Sequence, residues 1–208
     1  MAEYWADHFP LRRHDFTPGS RRLAREKVLQ VVTAFLVCGE PLEKLIEHIF
    51  YRKFNFGEYE EKSERLLTPD EIVELESDKP ISWLNPDLEY GEHMIYGSLR
   101  NREFADTLLE KNSKNWDIDR IALIDRVLIY MAVTELLDFE DIPIKVTISE
   151  ILDIAKDFST DKSNSFINGL LDVIVNDLND QGRIKKVGKG LSEKSIRKPR
   201  AKRKKKEL

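Results

Sequence analysis

A chain of 208 residues with 41% apolar and 35% charged side chains is long enough for one well-buried domain with extensions. It holds no apolar run near the roughly 20 residues that a bilayer span requires. The net charge of −4 hides a division, because the stretch from Arg183 onward carries 13 Lys/Arg against 2 Asp/Glu and the body before it is strongly acidic. That division excludes nucleic-acid binding over the whole surface and suits the acidic faces to a basic protein partner.

The single cysteine, Cys38, excludes an internal disulfide and fits a reducing cytosol. The first residues, MAEYWADHFPLRRHDF, lack the basic-then-apolar order of a signal peptide, so a cytoplasmic location is expected. Residues 1–19 show no period and read as an irregular leader. The spacing predicts a first helix from about Ser20, with Ser20 as its N-cap and Gly39 and Pro41 ending it. Leu23, Val28, Val31, Val32, Phe35 and Leu36 form its buried face, and Cys38 reads as a core residue at its apolar end. Arg21, Arg22 and Arg25 crowd its first turns, where cations meet the positive end of the helix dipole. They read either as a solvated basic end or as a phosphate-binding patch of planar guanidinium donors.

A second helix is expected from Pro41 to about Tyr51, buried through Leu42, Leu45, Ile46 and Ile49. A proline-interrupted acidic loop follows, with a short helix near residues 70–76. One helix is then expected from about Asp87 to Glu110, with Gly97 inside it marking a close helix crossing. Trp116 is expected to pack at the next junction.

The stretch from Arg120 to Asp172 organises the rest. Ile121, Ile124, Leu128 and Met131 recur at helical spacing, and Leu123, Val127 and Tyr130 form a second stripe beside them. A helix apolar on two sides belongs at the centre of an all-helical core. Glu135 falls on that apolar surface and needs partners. Pro143 separates this helix from the next, where Thr147 and Glu150 read as a capping box before Ile148, Ile151, Leu152, Ala155 and Phe158. In the last helix Ile167, Leu170, Leu171, Ile174 and Leu178 face one way. Phe166 stands roughly 100° round from them, the large apolar side chain that the core pattern does not claim. After Asp180 the pattern stops, and residues 183–208 read as a disordered basic tail behind a domain at 20–182.

No catalytic constellation emerges. His8, His14, His48 and His93 fall in separate segments without metal-ligand spacing, and no phosphate loop, CxxC or HExxH motif occurs. No enzyme activity, cofactor or metal is expected.

IDRVLIYMAVTEL, DIPIKVTISEILDIAKDFS and SFINGLLD resemble the C-terminal signature of the NusB transcription antitermination proteins, and RRLAREKVLQVV resembles their Arg-rich first helix. The resemblance runs from about Ser20 to about Asp177. It implies an all-helical fold of two packed bundles without catalytic activity. It also implies binding of the boxA segment of ribosomal RNA leader transcripts, together with NusE, a small-subunit ribosomal protein. Such complexes join other Nus factors on RNA polymerase. By motif position, the resemblance places Arg21, Arg22 and Arg25 on RNA, and Phe166 and Asp125 at NusE. Lys162 lies beside that interface, where many relatives carry an acid. A homodimer stays open. Two other readings are a non-catalytic helical adaptor that never meets RNA, and the RNA-binding accessory domain of an RNA methyltransferase, which shares this helical fold.

Overall fold

The computed structural model describes residues 17–52, 81–112 and 121–188. The acidic helix expected near residues 70–76, the Trp116 junction and most of the basic tail lie outside them. In chain order the elements are β1 (Thr17–Pro18), α1 (Arg21–Cys38), α2 (Leu42–Leu45) continuing into a π-helical turn at Ile46–Phe50, β2 (Ile81–Ser82), α3 (Asn85–Arg100), α4 (Arg102–Asn112), α5 (Leu123–Asp138), α6 (Ile144–Phe158) and α7 (Asp161–Asp180).

The helix expected at the centre is α5. Every residue from Val127 to Leu136 is buried, as two adjacent apolar stripes require. It packs against α1, α3, α4, α6 and α7. The helices α1 and α3 with the π-helical turn form one group, and α4, α6 and α7 form the second, so α5 serves both bundles. Two of its polar side chains are used internally. Tyr130 donates to Asp106 on α4 at 2.7 Å, and Thr134 accepts from Asn101.

The first helix begins and ends as its sequence specifies. The Ser20 hydroxyl accepts from the Leu23 amide at 3.1 Å, and Gly39, in the left-handed region at φ 66°, returns its N–H to Phe35. Ala24, Val28, Leu29, Val31 and Val32 supply its buried face. Cys38 is exposed, which corrects the expectation of a core residue. It is the last helical residue, past the turn that Val32 buries.

Residues 17–19, expected as irregular leader, are held in place. Thr17 and Pro18 pair in parallel with Ile81 and Ser82, and the Gly19 amide donates to the Ser82 carbonyl at 2.8 Å. Trp83 then stacks on Phe50 with centroids 4.7 Å apart and donates its indole N–H to the Phe50 carbonyl. Gly91 lets α3 pass this ring, since a Cβ there would lie 2.1 Å from it.

Three expectations are corrected. The single helix expected from Asp87 to Glu110 is two, α3 and α4, broken at Asn101 (φ −85°, ψ 2°), whose side chain is drawn to Thr134 and Asp138 on α5. The capping box does not form. The helix α6 begins at Ile144, leaving Thr147 buried inside it and Glu150 turned toward α1. Residues 183–188, expected as disordered tail, pack on the body: Ile184 lies against the core and the Arg183 guanidinium sits 4.0 Å from the Phe104 ring centroid.

Gly97 marks a close crossing, as its place inside an apolar helix predicts. A Cβ there would approach the Thr134 γ-methyl to 2.5 Å. Gly97→Ala is expected to destabilise the fold by about 1–3 kcal/mol through overpacking, despite the roughly 1 kcal/mol helix-propensity gain. Thr134→Ser, which removes that methyl and keeps the hydroxyl, should recover much of the loss. Urea unfolding of the two single variants and the double variant measures both; equal stability of Gly97→Ala and wild type would contradict the crossing.

Candidate functional site

The three clustered arginines do not share one environment. On α1 the positions after Arg25 include Val28 and Leu29, both buried, so the helix turns Arg25 inward while Arg21 and Arg22 stay at the rim. The side chains of Arg21 and Arg22 are 41% and 39% exposed, that of Arg25 only 4%.

Arg25 meets Glu135, the charged residue on the otherwise apolar stretch of α5. Its Nε and Nη2 donate to one carboxylate oxygen at 3.0 and 2.7 Å. Tyr90 of α3 donates its hydroxyl to the same oxygen, and Nη1 of Arg25 reaches Glu150 of α6 at 3.3 Å. Burial opposes the charge on Arg25, but Glu135, Tyr90 and Glu150 more than offset it and raise its pKa. Burial and the Glu135 carboxylate push the Tyr90 phenol well above its ordinary value. One knot of charge thus joins α1, α3, α5 and α6. The second oxygen of Glu135 is buried with no hydrogen-bond partner among the described residues.

The rim arginines are also paired. Arg21 lies over the Tyr90 ring, 4.5 Å from its centroid, and its Nε is 3.3 Å from Asp87. Arg22 contacts Glu26 on its own helix and Asp157 at 2.9 Å on α6, with Asp153 at 3.9 Å. The structure therefore brings Arg21 and Arg22 together as half-exposed donors already held by carboxylates. It removes Arg25 from the surface, which corrects the expectation of a surface patch of three.

The residues expected at a protein partner gather at the start of α7. Thr160 caps that helix by accepting from the Ser163 amide at 3.1 Å, and Asn164 donates to the Leu152 carbonyl at 2.6 Å. Lys162 is exposed. Phe166, one helical turn on, is half-buried against the core, so the core claims more of it than the spacing suggested. Asp125 is 4% exposed and accepts from Ser159 at 2.6 Å. It fastens the start of α5 to the end of α6, and its carboxylate is not a surface group as expected. The last turns of α6 lie between the two candidate surfaces, since Arg22 reaches Asp157 and Ser159 reaches Asp125.

Sequence reasoning missed Tyr90, Glu150 and Asp87. A signal existed for the buried pair: an arginine beside Val28 and a glutamate on an all-apolar helix face are two opposite charges that each need a partner indoors.

A family model described as the NusB family matches residues 22–176. The chain belongs to the NusB family. The transcription antitermination protein NusB of Salinibacter ruber is 50% identical over 103 residues, which cover 50% of this chain and 64% of that protein. The one from Chloroherpeton thalassium is 32% identical over 181 residues, 87% of this chain and 73% of the relative. Among solved structures, a T. maritima NusB superposes with a TM-score of 0.56 at 27% identity, covering 77% of this chain and 93% of that one. A structure of antitermination factors NusB and NusE with double-stranded RNA shares the fold at TM-score 0.53 and 22% identity, over 76% of this chain and 96% of that one. Among the described residues no helix is long and apolar enough to cross a membrane.

In this NusB-family chain, Arg25→Ala should act first on folding. It leaves Glu135, wholly buried, without its counter-charge, and breaking a buried pair typically costs about 3–5 kcal/mol. A denaturant midpoint unchanged from wild type would contradict the assignment.

Proposed function

We propose that this chain is a transcription antitermination factor that binds boxA-type RNA of ribosomal leader transcripts together with NusE, within a complex of other Nus factors on RNA polymerase. The observation that carries the reading is the arginine-rich start of α1, on a fold whose relatives bear the antitermination name. Arg21 and Arg22 offer planar donors at a partly exposed rim, and guanidinium groups match phosphate oxygens in geometry as well as charge. The solved complex named for NusB, NusE and RNA supports the choice of partners.

Arg25 serves RNA from beneath in this reading. Its ion pair with Glu135 and the Tyr90 ring under Arg21 set the position of the rim donors. Base selection is left to single-stranded contacts shared with the partner. The start of α7 supplies the protein contact, with Phe166 as the apolar anchor and Lys162 beside it, while Asp125 holds the end of α6 in place beneath them. An acidic body fits a partner rich in Lys and Arg.

Two measurements test the proposal. Arg22→Ala should weaken binding of a boxA-containing RNA and lower the slope of log affinity against log salt by about 0.7 for each phosphate that is no longer neutralised. Unchanged affinity and slope would remove Arg22 from the interface. Phe166→Ala should weaken NusE association by more than about 1 kcal/mol, and a wild-type titration would remove that anchor. The adaptor reading draws on the pairing of Arg21 and Arg22 with carboxylates, and it predicts no RNA binding with or without NusE.

A further inference from the structure

The sequence puts a glycine in the middle of α7, and the packing of the molecule does not call for it. Glycine inside a helix weakens that helix relative to alanine. Two other helical glycines have an internal reason: a Cβ at Gly91 would lie 2.1 Å from the Phe50 ring, and one at Gly97 would lie 2.5 Å from the Thr134 γ-methyl. At Gly169 a Cβ would meet no atom of the described residues within 4 Å, and the residue is exposed. It lies within regular helix, not at a left-handed turn. Ile167 and Leu171, two residues to either side, are wholly buried. At about 100° per residue, Gly169 therefore points away from the core.

Gly169 is the middle of an outward stripe. Lys162, Phe166, Gly169, Val173 and Asn176 follow one another at spacings of four, three, four and three residues, which places them on one face of the helix. Phe166 is half-buried, while Val173 is 46% exposed although apolar. The stripe thus runs from an apolar side chain over bare backbone to a second apolar side chain. The missing side chain leaves a notch, where another backbone can come nearer the axis of α7 than any side chain would allow. Asp172 stands exposed beside the notch and offers its carboxylate to a partner rich in Lys and Arg. The notch is continuous with Phe166 and Lys162, the surface assigned above to the protein partner.

We infer that Gly169 is a contact point for that partner, and that a backbone segment of NusE seats in the notch between Phe166 and Val173. The inference rests on the NusE reading above and extends its surface about two helical turns along α7. The helix gives up stability at Gly169, and the complex gains a close approach there. Stability and affinity should therefore move in opposite directions when this glycine is replaced.

The test is a calorimetric titration of the full-length chain with purified NusE, beside thermal unfolding of each variant. Gly169→Ala should raise the unfolding temperature, because alanine favours the helix and the added methyl has room. The same variant should weaken NusE binding about tenfold, since a methyl group intruding on an interface packed like a protein interior overfills it. Gly169→Gln should weaken binding further, and Val173→Ser should weaken it several-fold. Asn168, exposed and one residue off the stripe, is the control: Asn168→Ala favours the helix in the same way and should bind as wild type does. A Gly169→Ala chain that is more stable and binds with wild-type affinity would overturn the inference and leave Phe166 as the anchor. Equal weakening by Asn168→Ala would overturn it too, because stiffening of the helix would then be the cause. A Gly169→Ala chain less stable than wild type would reveal an internal need for the glycine, with the same consequence. A wild-type chain that does not bind NusE would overturn the NusE reading itself.

Discussion

The structure depends on one buried ion pair, Arg25 with Glu135. A charge on an otherwise apolar helix face is expensive to desolvate, and it persists only where opposite charge and hydrogen bonds meet it. Glu135 receives both arginine donors and the Tyr90 hydroxyl, while Arg25 spends its remaining reach on Glu150. Four helices are thereby tied at one point. Apolar packing of α5 alone would tolerate small slips of α1 along it; a guanidinium–carboxylate pair with fixed geometry does not. A buried pair of this kind adds little net stability over a well-packed apolar replacement, but removing one partner of it is costly.

That arrangement has consequences for the surface above it. The pair draws Arg25 inward, and the Tyr90 side chain that bonds Glu135 forms the bed for Arg21. Arg22, beside it at the rim, is held against Asp157 of α6. The rim arginines are therefore preorganised by carboxylates, and in the proposed RNA reading a phosphate would have to take the place of Asp87 or Asp157. Lys186, seated on the carbonyls that end α5, ties the segment that follows α7 to the same four-helix knot.

Much of the fold was legible in the residues. Two stripes on α5, the Ser20 cap, the Gly39 stop and the α7 stripe each carry a local signal strong enough to specify an element, and they appear as read except that Ile121 precedes the first turn of α5. The break at Asn101 was not legible, because its cause is a tertiary bond to Thr134 and Asp138 and no local breaker stands there. The capping box at Thr147 and Glu150 misled for a related reason: Glu150 is claimed by Arg25, and a helix start one turn earlier, after Pro143, leaves the box inside the helix. The arginine cluster could be seen as a cluster, yet its division into one buried and two rim residues depends on the helix phase set by Val28 and Leu29. Residues 183–188 carried no periodic signal at all, since they are held by isolated side-chain and backbone contacts with distant elements.

The state of the Arg25 guanidinium is the most direct test of this arrangement, and NMR of the arginine Nε–H groups can read it. Buried against Glu135, the Arg25 Nε–H should exchange slowly with solvent and keep its resonance when RNA is added, while the Arg21 and Arg22 signals exchange quickly and shift with RNA. An Arg25 signal that exchanges as fast as the other two, or that moves with RNA as they do, would contradict it.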